Sequence, residues 1–274
     1  MTTVADALKA ARTKLPASEA RQLLGQVLDR PAAWLIVHDE QVLDEDELLA
    51  FASVVARRAG GEPVAYLIGY REFYGRDFAV SPSVLIPRPE TELLVETALA
   101  GVGTGGTARI LDLGTGSGCI AITLALEIPQ AQVTAVDASE AALDVARRNG
   151  ERLGVQLRLL QSDWFAALTG ERFDLILANP PYISAGDPHL AAGDLRHEPS
   201  SALASGVDGL AAIRRIVAAA PAHLVSGGQL WLEHGYDQGD AVRELLVAAG
   251  FADIEQRRDL AGIMRVSGGR LSWR

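Results

Sequence analysis

One stretch limits the folds open to this chain more than any other. Arg109-Ile-Leu-Asp-Leu-Gly114-Thr-Gly116-Ser-Gly118-Cys-Ile-Ala121 reads as a strand, a glycine turn and the start of a helix. A short apolar run that breaks at glycines and resumes with helical spacing opens a βαβ unit. The alternation then continues: a helix at Cys119–Glu127, a strand at Gln132–Val136, a helix at Glu140–Leu153, strands at Gln156–Leu160 and Phe173–Ala178, a helix at Leu210–His223 and a strand at Gln229–Glu233. Strands and helices alternating at this spacing imply an α/β fold on a parallel sheet. After a helix at Asp240–Ala249, the strands Ala252–Arg257 and Met264–Val266 follow each other directly and must run antiparallel. The expected sheet is seven-stranded and mainly parallel.

The chain before residue 86 is of another kind. Ser18 is placed to cap a helix whose Ala20, Leu23, Leu24 and Val27 share one face. Asp44 is placed to cap the next, with Leu48, Leu49, Phe51, Ala52 and Val55 on its apolar side, and Gly60-Gly61-Glu62-Pro63 stops it. Tyr66–Tyr74 leads out, and Phe73–Val80 reads as strand, turn and strand about Gly75. Pro87-Arg-Pro-Glu-Thr-Glu92 introduces a helix through Leu99, and Gly101–Thr107 is a loop. The expected organisation is a helical domain at 1–75, a hairpin linker at 76–85 and an α/β domain at 86–274.

The glycine loop exposes backbone N–H groups at a helix N-terminus and lets a ligand approach closely. Nineteen residues beyond Gly118, the second strand of this unit ends in Asp137. A carboxylate there can accept from both ribose hydroxyls of a nucleotide; the alternative is a tight turn with an acidic helix cap. The spacing is G-x-G-x-G, not the G-x-G-x-x-G of pyrophosphate binders, and Asp112 stands just before it. A carboxylate repels a pyrophosphate but can neutralise an ammonium group. That combination favours S-adenosyl-L-methionine over a nicotinamide dinucleotide. Asp163 and Trp164 follow the third strand, where Asp163 can accept from an adenine amino group and Trp164 can cover the ring. A helix cap beside a core tryptophan is the other reading of that pair.

Asn179-Pro180-Pro181-Tyr182 ends the fourth strand. If the first and fourth strands flank the reversal of strand order, the tetrapeptide faces the glycine loop across the crevice there. An amide nitrogen is a poor nucleophile because its lone pair is delocalised. To accept a methyl group its hydrogens must be held by acceptors, and the Asn179 side-chain oxygen and the Pro180 carbonyl are two. Neither proline has an N–H to compete, and both stiffen the wall. Tyr182 can stack on a planar group.

With Asp112-Leu-Gly-Thr-Gly-Ser-Gly118 and Asn179-Pro-Pro-Tyr182 together, the chain resembles class I methyltransferases that act on planar nitrogen. More narrowly it resembles the glutamine N5-methyltransferases of peptide chain release factors. That likeness runs through Glu62-Pro-Val-Ala-Tyr66, Arg71-Glu-Phe73, Ile86-Pro-Arg-Pro-Glu-Thr-Glu92, Ser162-Asp-Trp-Phe165, Asp187-Pro-His189, Glu198-Pro199 and Leu232-Glu-His-Gly235. The resemblance implies a Rossmann-like domain. It implies that Gly114, Thr115, Gly116, Ser117, Gly118, Asp137, Trp164 and Asn179 contact S-adenosyl-L-methionine, and that Asn179, Pro180, Pro181 and Tyr182 hold a substrate glutamine, with Asn179, Pro180 and Tyr182 catalytic. The product would be S-adenosyl-L-homocysteine and a glutamine methylated at N5 in the Gly-Gly-Gln motif of a release factor. The helical domain would help dock that partner.

Composition weighs the rivals. Lys+Arg number 25 against 35 Asp+Glu, a formal net charge of −10, and the only lysines are Lys9 and Lys14. A methyltransferase for nucleic-acid bases would want a basic face, so no direct nucleic-acid partner is expected. A ribosomal-protein glutamine methyltransferase would use the same tetrapeptide and stays open. A non-catalytic binding protein on this scaffold has no need of Asn179 and Tyr182. The single cysteine, Cys119, excludes an internal disulfide and a cysteine zinc cluster, and fits a reducing compartment. His189 and His197, with Asp187, Asp194 and Glu198 nearby, match no short ligand spacing, so no metal is expected. Glu90 and Glu92 suit either the helix N-terminus or the cofactor side. Cys119, Trp34 and Trp231 read as core. The N-terminus lacks the apolar run of a signal peptide, and the most apolar stretch, Ile110–Ile128, is broken by Asp112 and glycines. A cytoplasmic protein with no membrane span is expected.

Overall fold

A computed structural model describes residues 1–102 and 107–272, and the chain divides into two compact units, Met1–Tyr70 and Arg71–Arg274. The first unit is helical: α1 (Val4–Ala11), α2 (Ala17–Leu28), α3 (Ala32–Val37), α4 (Glu45–Ala59) and α5 (Val64–Ile68). Asp44 caps α4, its side chain accepting from Glu47 N while Glu47 answers at Asp44 N. Thr3 and Asp6 form the same reciprocal box on α1. Ser18 is no cap. Pro16, extended and without an N–H, starts α2 two residues earlier and leaves Ser18 inside the first turn. Leu8, Leu23, Leu24, Leu35, Phe51 and Val55 form the core of this unit. An ion pair at 2.7 Å between Arg58 and Glu19 joins α4 to α2. Trp34 packs half-buried against this core and stacks on His38, with ring centroids 4.2 Å apart.

The helical part therefore stops at Ile68, and the hairpin comes earlier than residues 76–85. Its strands are β1 (Tyr70–Phe73) and β2 (Arg76–Ala79). Glu92 Oε1 accepts from Tyr74 N at 2.8 Å and ties this turn to the chain beyond. A 3-10 turn at Pro89–Thr91 leads into α6 (Glu92–Val102). Of the expected loop, Gly101 and Val102 belong to α6, and residues 103–106 lie outside the described residues.

The sheet is built from β3 (Arg109–Leu113), β4 (Gln132–Asp137), β5 (Arg158–Gln161), β6 (Phe173–Ala178), β7 (Leu224–Glu233), β8 (Phe251–Arg258) and β9 (Met264–Leu271). Its seven strands run in the order β5-β4-β3-β6-β7-β9-β8. The pairs from β5 to β7 are parallel, and β9 is antiparallel to both its neighbours. Helices α7 (Cys119–Glu127), α8 (Glu140–Arg152), α9 (Ser200–Leu203), α10 (Ala211–His223) and α11 (Gly239–Ala248) connect these strands. The last strand runs on to Leu271, past the expected Val266, because ladders on both sides hold it. Its Gly268 passes over Trp231, where a Cβ would come within 2.3 Å of the indole. A glycine that reads as the end of a strand thus marks a close approach inside one.

Chain order reverses between β3 and β6, which pair directly with Leu113 opposite Ala178. Their C-terminal ends open the crevice of a doubly wound sheet. Beneath it, buried Asn149 of α8 accepts from Ala79 N at 2.8 Å and donates to Ala79 O at 3.0 Å and Ser117 O at 2.8 Å. One amide so fastens β2 and the glycine loop to the same helix. Asn149→Ala would strand these backbone groups and should lower stability by about 2–4 kcal/mol. Urea unfolding checks this; a loss below about 1 kcal/mol would mean that water replaces the amide.

Candidate active site

The glycine loop leaves β3 with Gly114 N and Thr115 N both donating to Val136 O at 2.9 Å, which docks it on β4. Gly114, Gly116 and Gly118 all have positive φ. At Gly118 a Cβ would lie 2.9 Å from Ile122 and 3.1 Å from Ala146, so only glycine lets α7 and α8 close on the loop. Gly116 instead faces open space. Asp137, at the end of β4, accepts from Gly116 N and Ser139 N, each at 2.9 Å. Ser139, not Asp137, caps α8. The lone pairs that remain on the Asp137 carboxylate are free for a ligand's hydroxyls.

These groups border a cavity of about 630 Å³. Gly114, Thr115, Gly116, Ser117, Asp137, Trp164, Asn179 and Pro181 line it; Gly118, Pro180 and Tyr182 do not. Trp164 turns through a positive φ and lies 3.5 Å from where a Gly114 Cβ would stand, so its ring walls the loop. Asp163 is exposed and paired with Arg215 of α10 at 2.8 Å. Opposite the loop, Arg88, Thr91 and Pro199 close the cavity. Glu198, its side chain wholly buried, fixes this wall by accepting from Ile86 N at 3.0 Å and pairing with Arg88.

Asp112 does not line the cavity. It lies fully buried under the loop, where Oδ2 accepts from the Thr115 hydroxyl at 2.7 Å and Oδ1 has no partner. Burial pushes its pKa up to about 7, against the pull of Thr115 and with help from the Asp137 charge. Direct contact with an ammonium group would need the loop to shift. The folded chain keeps a proton on Asp112 that the unfolded chain releases from about pH 4 upward, so this residue lowers stability as pH rises from about 4 to about 7. Asp112→Asn removes that contribution. Its stability relative to wild type, from urea midpoints, should improve from pH 4 to about 7 and level off above; a constant difference would contradict the assignment.

At the end of β6, Asn179 Nδ2 donates to Thr91 Oγ1 at 3.1 Å. Pro180 is buried. The Tyr182 carbonyl accepts from Gln238 Nε2 at 2.9 Å, and its hydroxyl donates to Glu233 Oε1 at 3.3 Å. Burial first, then the Glu233 charge, push the Tyr182 hydroxyl far above its ordinary pKa. Ile183 then bridges to Ala204, tying the following loop to the end of α9. Thr91 and Glu233 were not singled out from the sequence, although both lie in its distinctive segments: Thr91 closes Pro-Arg-Pro-Glu-Thr and Glu233 stands in Leu-Glu-His-Gly.

The remaining candidates are accounted for by ordinary contacts. Cys119 is buried, and burial pushes its thiol up to about 12, far from a reactive thiolate. Trp231 is buried. His189 bonds Asp187 at 2.7 Å, and His197 accepts from Arg196 at 3.1 Å. Among the described residues no three His, Cys, Asp or Glu side chains gather as metal ligands, and no helix is long and apolar enough to cross a membrane.

A seven-stranded sheet with one antiparallel strand inserted beside its edge, and a glycine loop at its switch point, is the architecture of a class I methyltransferase. Comparison with known proteins agrees. The family model of the methyltransferase small domain matches residues 89–241, and that of the PrmC N-terminal domain matches residues 1–69. The release factor glutamine methyltransferase of Bordetella pertussis is 54% identical over 258 residues, covering 94% of this chain and 96% of its own length. The same enzyme of Burkholderia pseudomallei is 55% identical over 276 residues, 98% of this chain and 96% of that one. A solved methyltransferase from Pyrococcus furiosus has the same fold, with a TM-score of 0.56 at 20% identity over 81% of this chain and 100% of that one. The chain belongs to the release factor glutamine methyltransferase family.

Proposed function

We propose that this enzyme transfers a methyl group from S-adenosyl-L-methionine to the side-chain nitrogen N5 of a glutamine in the Gly-Gly-Gln motif of peptide chain release factors. The observation that carries the reading is the placement of Asn179. It lies on the cavity wall just past the end of β6, the strand paired with β3, with its nitrogen engaged by Thr91 and its oxygen left for a ligand. The cavity suits the cofactor: Gly116 leaves its floor open, Asp137 offers carboxylate lone pairs at the rim, and Trp164 supplies a flat wall. S-adenosyl-L-methionine supplies an electrophilic methyl when bound.

The residues of the chain do the positioning. Asp137 accepts from the ribose hydroxyls. Asn179 Oδ1 and the Pro180 carbonyl accept the two amide hydrogens of the glutamine, turning its lone pair toward the methyl. The new bond is carbon to nitrogen, the broken bond is carbon to sulfur, and the surplus proton leaves from nitrogen to water. Positioning and preorganised acceptors supply most of the acceleration. Tyr182, half-buried beside the cavity, is the ring placed to stack on the amide plane once substrate is seated. The helical unit at Met1–Tyr70 serves to dock the release factor, and the enzyme works in the cytoplasm, as the lone unpaired cysteine suits.

Asp137→Ala should weaken S-adenosyl-L-methionine binding by about 1–3 kcal/mol in a folded protein. Unchanged affinity in calorimetry would remove Asp137 from the cofactor site. Asn179→Ala should leave the fold and most cofactor binding intact while slowing methyl transfer on the order of a hundredfold or more. Single-turnover methylation of a release factor, with mass spectrometry locating the methyl group, decides the matter. Near wild-type rates, or methylation anywhere but a glutamine side chain, would overturn the reading.

A further inference from the structure

An asparagine amide is nearly symmetric in shape and opposite in polarity at its two ends. The proposed chemistry works only if Asn179 shows its oxygen to the substrate. Its nitrogen is turned to the Thr91 hydroxyl at 3.1 Å, but a hydroxyl donates as readily as it accepts. Thr91 alone would hold the amide equally well in the inverted orientation. Something must take the hydrogen of Thr91, and with the residue 2% exposed that cannot be bulk water.

Glu233 is the group placed to do so. It ends β7, the strand paired with β6, and is 1% exposed. Its Oε1 accepts from Tyr182, and its Oε2 has no partner within hydrogen-bonding geometry. The Thr91 hydroxyl is among the neighbours that lower the pKa of this carboxyl. We propose that Glu233 is a positioning residue: its Oε2 takes the Thr91 hydrogen, Thr91 Oγ1 is left only to accept, and Asn179 is thereby held with nitrogen inward and oxygen toward the substrate. The same carboxylate holds the Tyr182 hydroxyl, so one buried acid orients both ends of Asn-Pro-Pro-Tyr. A carboxylate without a cation partner is costly to bury, and its retention here serves the orientation of the amide.

Protonation would undo the device, because a carboxylic acid can donate to Thr91 and free Thr91 to donate to Asn179 Oδ1. Burial raises Glu233 to about 7; the Thr91 and Tyr182 hydroxyls and the Arg265 charge of β9 hold it down, and Glu90 of the 3-10 turn adds to the rise. The rate should therefore climb as pH passes through about 7.

The inference rests on the proposed glutamine chemistry, and its test separates the two. Single-turnover methylation of a release factor at saturating cofactor is measured for wild type, Glu233→Gln, Thr91→Val, Thr91→Ser and the double variant Glu233→Gln/Thr91→Val. Glu233→Gln should be slower by about tenfold or more with cofactor affinity unchanged, and should lose the rise near neutral pH. Thr91→Val should be slowed alike, Thr91→Ser should keep most of the rate, and the double variant should be no slower than Thr91→Val. Hydrogen exchange of the Asn179 side-chain amide, read by nitrogen-15 NMR without substrate, should lose protection in Thr91→Val and in Glu233→Gln. If Glu233→Gln does not fold, the Val and Ser variants and the wild-type pH profile still decide. Wild-type rate and pH profile in Glu233→Gln, or additive losses in the double variant, overturn the inference and leave the glutamine reading standing. A wild-type enzyme that does not methylate release factor overturns that reading instead.

Discussion

The direct parallel pairing of β3 with β6 sets the geometry on which the site depends. With Leu113 opposite Ala178, the glycine loop and Asn179 leave the sheet side by side. Three sets of contacts brace those two exits. Asn149 clamps the loop from below, Glu198 and Arg88 brace the facing wall, and Gln238 holds the Tyr182 carbonyl. A methyl transfer that depends on alignment needs this rigidity, because a displacement of an ångström at either exit misaligns donor and acceptor.

The site also concentrates electrostatic cost. Asp112 and Glu233 are wholly buried, each has an oxygen without a hydrogen-bond partner, and desolvation raises both to about 7. Most other carboxylates with displaced pKa values lie at the surface and are lowered, as Asp208 is by Arg214 and Glu171 is by Arg158. Opposite shifts in the two settings separate carboxylates that stabilise the fold from those it retains at its own expense. Both retained acids stand toward the C-terminal ends of their strands, Asp112 in β3 and Glu233 in β7. Such concentration marks functional sites generally.

Much of the architecture could be read from the chain because its signals are contiguous. The strand–glycine–helix run, Asp137 at a strand end and the Asn-Pro-Pro-Tyr segment each carry their meaning within a few residues. What escaped acts across distance: Thr91 meets Asn179 over 88 positions, Asn149 meets Ala79 over 70, and Asp163 finds Arg215 over 52. No periodicity encodes such meetings. Local rules also misled where a stronger neighbour intervened. Pro16 displaced Ser18 as the start of α2. The first strand pairing of β7 begins at Leu224, five residues before the expected strand, because its ladder with β6 tolerates a register shift.

The insertion of β9 between β7 and β8 has a consequence for how the molecule is made. Strand β8 has no partner in the sheet except β9, and the outer edge of β7 has none until β9 arrives. During synthesis residues 224–258 emerge before residues 264–271, so two ladders wait on a single late segment. Until it docks, the apolar β7 presents an open edge, the kind of surface that captures stray strands. Completion of the sheet beside Glu233 thus waits on the docking of β9.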